Sequence, residues 1–212
     1  MRHKFRIQCD LDKFWVTSDN HFGHKFMASH RGFRSADEHD EFMIRQWNSQ
    51  VQPDDTVLAF GDWSFLNVEN TQRIMDRLNG EKFVIPGNHD DSNRLAKWFP
   101  DAVLPELTNV RLTDTESDDR ISFVASHYPL ASWDGSDKGS LQLHGHLHSV
   151  NNQISHHFCA PFSGAGSRFD IGIDNAAWFG FRFSPIPIRT VWKKHRQKQD
   201  AWAELKDDPR YK

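Results

Sequence analysis

Cysteine is nearly absent from this chain. Its 212 residues hold two, Cys9 and Cys159, far apart and outside any Cys-x-x-Cys pattern, so neither a disulfide framework nor a thiolate zinc knot is expected. Long hydrophobic runs are missing as well. No apolar stretch approaches the roughly 18 residues of a membrane span, and the polar opening Met1-Arg2-His3-Lys4 leads into no signal-peptide core. A cytoplasmic protein without membrane attachment is the expectation. Nor is there an excess of positive charge: 26 Lys and Arg against 29 Asp and Glu leave a net charge of −3 with His neutral. That argues against a broad basic face for duplex nucleic acid, though not against a local phosphate site. Internal repeats, linkers and low-complexity segments are also lacking.

What the chain does have is aromatic mass and histidine. Hydrophobic residues make up 37%, with eight Trp and 17 Phe, enough for a sizeable core. The 13 His cluster with Asp and Asn rather than scattering. One domain is expected over residues 1–190. A basic tail follows over 191–212, opening with Lys193-Lys194-His195-Arg196-Gln197-Lys198 and read as solvated helix or disorder.

Periodicity predicts an α/β front half. Lys4 to Ile7 reads as an edge strand and Phe14-Trp15-Val16-Thr17 as a strand. Ser35-Ala36-Asp37-Glu38 fits a capping box, followed by an amphipathic helix to about Gln50 with Phe42, Met43, Trp47 and Val51 at helical spacing. A strand over 56–60, a helix carrying Val68, Thr71, Met75 and Leu78 up to Gly80, and a strand over 81–85 come next, then a short helix over 92–99. This order argues for parallel βαβ units. Beyond residue 101 short strands dominate: Val103-Leu104, Asn109 to Thr113, Arg120 to Ala125, and a late strand over 169–174. An acidic hairpin loop is expected over 113–119 and a possible lid, carrying Trp133, over 129–140.

Five strand ends deliver polar side chains: Asp19 and His21; Asp62; Asn88, His89 and Asp90; His127; His146 and His148. In open α/β sheets ligands sit at the carboxyl ends of strands. Asp19 and His21, two apart, would share a face of a strict strand. Oxygen and imidazole donors without thiolate suit Mn²⁺, Fe, Zn²⁺ or Ni²⁺. They are too many for one catalytic ion and suit two, about 3.5–4 Å apart, the arrangement that clamps a phosphoryl transfer.

Ser18-Asp19-Asn20-His21, Gly61-Asp62, Gly87-Asn88-His89-Asp90, Ser126-His127 and Gly145-His146-Leu147-His148 resemble, in order, the five signature blocks of the calcineurin-like metallophosphoesterases. The flanking Phe22-Gly23-His24 and Tyr128-Pro129-Leu130 are similar to small bacterial and phage members, over roughly residues 14 to 175. The resemblance implies a four-layer α-β-β-α sandwich of two mixed sheets. It implies two divalent ions, Mn²⁺ first, with Asp19, His21 and His148 on one, Asn88, His127 and His146 on the other, and Asp62 bridging. It further implies hydrolysis of a phosphate ester, a diester in preference to a monoester, by a metal-bridging hydroxide with His89 as general acid. Asp90 would orient His89 or fasten the loop. His24, Arg31, Arg34 and Trp133 are candidate substrate contacts; His30, His39, His156 and His157 are expected at the surface or behind the ligands. Gly61-Asp62 is followed by Trp63-Ser64-Phe65 and lacks the Asp-Arg-Gly of the protein phosphatases, which disfavours that activity. The β-lactamase-type metal hydrolases are disfavoured because His148 is not followed by Asp-His. The expected substrate is a small phosphate ester, nucleotides included. The alternatives are a non-catalytic scaffold and a nuclease acting on single strands.

Overall fold

The computed structural model describes residues 4–149 and 167–205; His156, His157, Cys159 and the tail beyond residue 205 lie outside them. Within the described residues nine strands form two mixed sheets. The four-stranded sheet has the order β4 (Glu81–Val84), β3 (Thr56–Ala59), β2 (Phe14–Thr17), β9 (Ile186–Pro187). Its β2–β3 and β3–β4 pairs are parallel, and β9 runs antiparallel to β2. The five-stranded sheet has the order β1 (Lys4–Cys9), β5 (Leu107–Asp114), β6 (Arg120–Ser126), β7 (Leu141–His144), β8 (Ser167–Asp170). Only its β5–β6 hairpin is antiparallel.

Two apolar layers hold these elements. Val16, Leu58, Phe60 and Ile85 of one sheet meet Val110, Leu112, Phe123, Leu141, Leu143 and Phe169 of the other in a buried inter-sheet core. On its other face the four-stranded sheet turns Trp15, Val57, Ala59 and Val84 toward Met43, Ile44 and Trp47 of α2 (Ala36–Gln50), Ile74 of α3 (Val68–Met75) and Leu95 of α4 (Ser92–Trp98). A short helix α1 (Lys25–His30) precedes them. The helix starts are locally encoded. Ser35, Asn67 and Asp91 accept the backbone N–H groups of Glu38, Asn70 and Arg94, which satisfies donors that a first turn leaves unpaired. The box at Ser35 is only half made, because the Glu38 carboxylate takes the Arg34 N–H. No helix among the described residues is long and apolar enough to cross a membrane.

Four expectations change. Residues 171–174 do not extend β8. Ile171 N–H donates to His144 and Ile173 N–H to Ser18, so the chain crosses from one sheet to the other there. Val103 forms an isolated bridge to Val84 rather than a strand. The loop over 129–140 is fastened to the outer face of β7 and β8: Gln142 donates to the Tyr128 carbonyl and Arg168 to that of Leu130. Its Trp133 is buried, with the indole N–H on the Ser140 carbonyl, which removes it as a substrate-stacking candidate. Finally, residue 190 is no boundary. It lies within α5 (Ile188–Leu205), whose Ile188 and Val191 belong to the inter-sheet core.

The start of the supposed basic tail is thus partly internal. His195 is buried with its ring against Trp192, and burial, with Arg196 and Lys198 adding to it, pushes its imidazole from 6.5 down to about 4. The unfolded chain then binds the extra proton between those values, so stability is expected to fall as pH drops through this window. The thermal midpoint of the native chain should decline more between pH 6.5 and 4 than that of His195→Gln; equal slopes would remove His195 from the account.

Candidate metal centre

The ligand-type residues stand where strands end, and their backbones are unusual. Among the described residues seven non-glycine positions have positive φ, and five of them are Asp19 (60°), His21 (53°), Asp62 (52°), His146 (69°) and His148 (48°). Asp19 and His21 therefore do not share a strand face, as alternation predicted. They converge because each turns through the left-handed region, at a cost of order 1–3 kcal/mol apiece. Glycine makes the room. A Cβ on Gly61 would land on the backbone of Gly87, and one on Gly145 would land on the Ser18 hydroxyl and an Asp19 carboxylate oxygen.

The convergence is tight. Asp19, His21 and His148 offer ligand atoms within 4.8 Å of one another, and so do Asp19, Asp62 and His127. Asp62 Oδ2 lies 3.6 Å from His21 Nε2 and 3.6 Å from His127 Nε2, so one carboxylate oxygen faces both halves. Asn88 Oδ1 lies 2.9 Å from His127 Nε2 and 2.9 Å from His146 Nδ1. The structure therefore gathers all seven expected ligands.

The donor chemistry fits divalent cations. Asp19 and Asp62 are almost wholly buried, and among the described residues no Lys or Arg pairs with either carboxylate. Burial pushes the Asp19 carboxyl up and the His21 imidazole well down, the His21 effect reinforced by His148. Buried carboxylates with no Lys or Arg beside them call for a positive charge. The imidazoles are also oriented as ligands. His127 Nδ1 bonds the Phe60 carbonyl at 2.6 Å and His148 Nδ1 bonds Asp174 Oδ2 at 2.7 Å, which turns each Nε2 lone pair inward.

Other expected residues take different roles. Asp90 accepts from the backbone N–H groups of Asp62, Trp63 and Gly87. It ties the Gly61-Asp62 loop to the Gly87-Asn88 loop. His89 donates its N–H to Asp62 Oδ1 and leaves its side chain exposed, its ring 5.9 Å from that of His21. His24 stacks on Phe65 at 3.9 Å and 7° and lies beside His21, ring centroids 5.3 Å apart. Arg34 is spent on Glu38 in an exposed pair.

Arg31 is a correction. Its side chain is 1% exposed and every one of its five N–H donors has a partner: Asp174 twice, the Asp19 and Asn20 carbonyls, and His39 Nε2. None remains for a substrate phosphate. His39, expected at the surface or behind the ligands, is fully buried and in turn bonds Asp40, while His30 is exposed. The residue that sequence reading missed is Asp174. Arg31 and His148 hold its carboxyl well below the usual range although burial opposes them. Its one signal was an acidic residue closing the apolar alternation of 169–174, at the end where the other polar strand ends gather.

A chain with this fold and this centre invites comparison. It belongs to the calcineurin-like phosphoesterase family, whose model matches residues 12–171. The Gene 66 proteins of Mycobacterium phages D29 and L5 are 29% and 28% identical in alignments of 163 positions that cover 66% of this chain and 80% and 79% of theirs. A crystal structure of a protein of unknown function from Aquifex aeolicus shares the fold, with a TM-score of 0.62 and 21% identity over 85% of this chain and 97% of that one. Family membership implies divalent metal ions, and the buried cluster supplies candidate residues for them.

Two substitutions probe the cluster. Asp174→Asn should weaken metal binding by about 10–100-fold, as loss of a group behind a ligand does, measured by competition with a chromogenic chelator. Gly145→Ala should abolish metal uptake by displacing Asp19, whereas uptake like that of the native chain would contradict the geometry.

Proposed function

We propose that this chain is a phosphoesterase that uses two divalent ions and prefers diesters. The observation carrying this reading is Asp62 Oδ2, equidistant at 3.6 Å from an imidazole nitrogen of each half-site. Asp19, His21 and His148 would hold one ion, Asn88, His127 and His146 the other, with Asp62 common to both. The mixed oxygen and nitrogen donor set without thiolate favours Mn²⁺, with Fe, Zn²⁺ and Ni²⁺ as further candidates. Ions bound there supply charge that stabilises the phosphoryl oxygens and lower the pKa of a water.

The chain's own residues do the rest. His89 stands at the mouth, tethered to Asp62 through its backbone, and can donate a proton to the departing ester oxygen as the P–O bond breaks. An alkoxide leaves poorly without that proton, which is the reason for preferring diesters. Asp90 fixes the two loops that carry Asp62 and His89. Arg31 and Asp174 set the His148 ring. His24 and Phe65 form an aromatic wall beside His21, suited to flank a substrate group.

Bis-p-nitrophenyl phosphate should be hydrolysed with Mn²⁺, inactivated by chelation, restored by adding metal back, and abolished in Asp62→Asn. Equal turnover in excess chelator would sink the metal mechanism, and no turnover with any metal would leave a binding scaffold. His89→Ala should lose about 10²–10⁴-fold on diesters with alkyl leaving groups and far less with p-nitrophenolate, which needs no proton. Equal losses would make His89 a binding residue only.

A further inference from the structure

The outer face of β1, β5 and β6 is chemically distinct from the rest of the molecule. Residues of these strands alternate between the inter-sheet core, where Phe5, Ile7, Val110, Leu112, Ile121 and Phe123 lie, and the opposite face. Register aligns three rows across that face: Lys4, Asn109 and Val124; Arg6, Arg111 and Ser122; Gln8, Thr113 and Arg120. Four of these nine positions are cations, four are neutral and polar, and none is a carboxylate.

Among the described residues the cations are unspent. Lys4, Arg6, Arg111 and Arg120 make no ion pair or side-chain hydrogen bond among the described residues, while Arg31, Arg34, Arg77 and Arg189 are all paired. Arg6 and Arg111 are direct cross-strand neighbours, an arrangement that like charges make unfavourable. The same side chains line two adjoining depressions of about 310 and 440 Å³. Asp134 stands at one end of the first and has a partner of its own. None of the metal-centre residues lines either depression.

With side chains about 6.7 Å apart along a strand and strands about 4.8 Å apart, the face spans roughly 13 by 10 Å. Four positive charges on so small an area, in a chain of net charge −3, match a dense and locally docked polyanion. Three of the four are arginine, whose planar fork fits phosphate oxygens two at a time. The interspersed Gln8, Asn109, Thr113 and Ser122 add hydrogen-bonding groups of the kind that contact a sugar–phosphate backbone. Duplex would call for a broader basic surface than this.

We propose that this face binds the phosphodiester backbone of single-stranded nucleic acid, as a site separate from the metal centre. Binding there does not depend on the phosphoesterase reading. It stands or falls by affinity, and turnover tests the other.

The test is fluorescence anisotropy of a labelled 20-residue oligo(dT) with the full chain, and with Asp62→Asn so that no strand is cut, between 25 and 200 mM salt. Four phosphate contacts predict a slope of log K against log salt of about −3, and Arg6→Gln with Arg111→Gln together should bring it to about half that value. The double variant should melt no lower than the native chain, since it removes a like-charge pair. Absence of binding at 25 mM salt would overturn the proposal, as would an unchanged slope in the double variant. Poly-glutamate competing as well as oligo(dT) at equal charge would also overturn it, by making the face a dock for acidic protein.

Discussion

The structure depends on bringing seven donor side chains from five strand ends to one point, and extended backbone cannot do that. Strand residues project alternately to two faces, whereas these side chains must turn back over the ends of their own strands. The chain meets the requirement with left-handed backbone at Asp19, His21, Asp62, His146 and His148. Gly61 and Gly145 stand where adjacent loops touch. Strain of this size persists only when the surroundings over-determine it. Here they do. The Asp90 carboxylate clamps two of the loops through three backbone N–H groups, and the Asp19 carboxylate receives the His146 N–H.

Behind this surface lies a second layer that decides orientation. From Asp40 through His39, Arg31 and Asp174 to His148, hydrogen bonds run without a break, and Asp40 also receives the Gly23 N–H. The network ties α1 and α2 to the crossing segment after β8, and so joins the helical layer to the far sheet. It also explains the burial of a guanidinium, because all five of its donors are satisfied. A lysine there has neither the fork nor the reach.

Much of the site was legible in the sequence because its grammar is local. A strand, a tight turn and a polar residue are contiguous, and five such units in order carried the ligand set and the fold class. What was not legible is non-local. Arg31 looked like a phosphate contact because a cationic side chain in a loop reveals nothing of its partners, and Asp174 lies 143 residues away from it. Nothing in the text around Trp133 tells that it is buried with its indole N–H on the Ser140 carbonyl. The supposed tail looked solvated because its charges outnumber Val191, although that residue, with Ile188 just before the tail, sets its place against the core. Even a correct inference rested in part on a wrong step: Asp19 and His21 do converge, but by leaving the strand geometry that was supposed to align them.

The division of the ligands between the sheets has a consequence for how the molecule comes apart. Asp19, His21, Asp62 and Asn88 follow strands of the four-stranded sheet, and His127, His146 and His148 follow strands of the five-stranded one. An ion gripped from both sides would be a reversible cross-link, added to the apolar core and to the hydrogen bonds that already run between the halves. Ligands that bind only the folded chain stabilise it by mass action, by about 2.7 kcal/mol at a hundred times Kd. Metal bound there would therefore add to the hold of one sheet on the other, by an amount that rises with its supply.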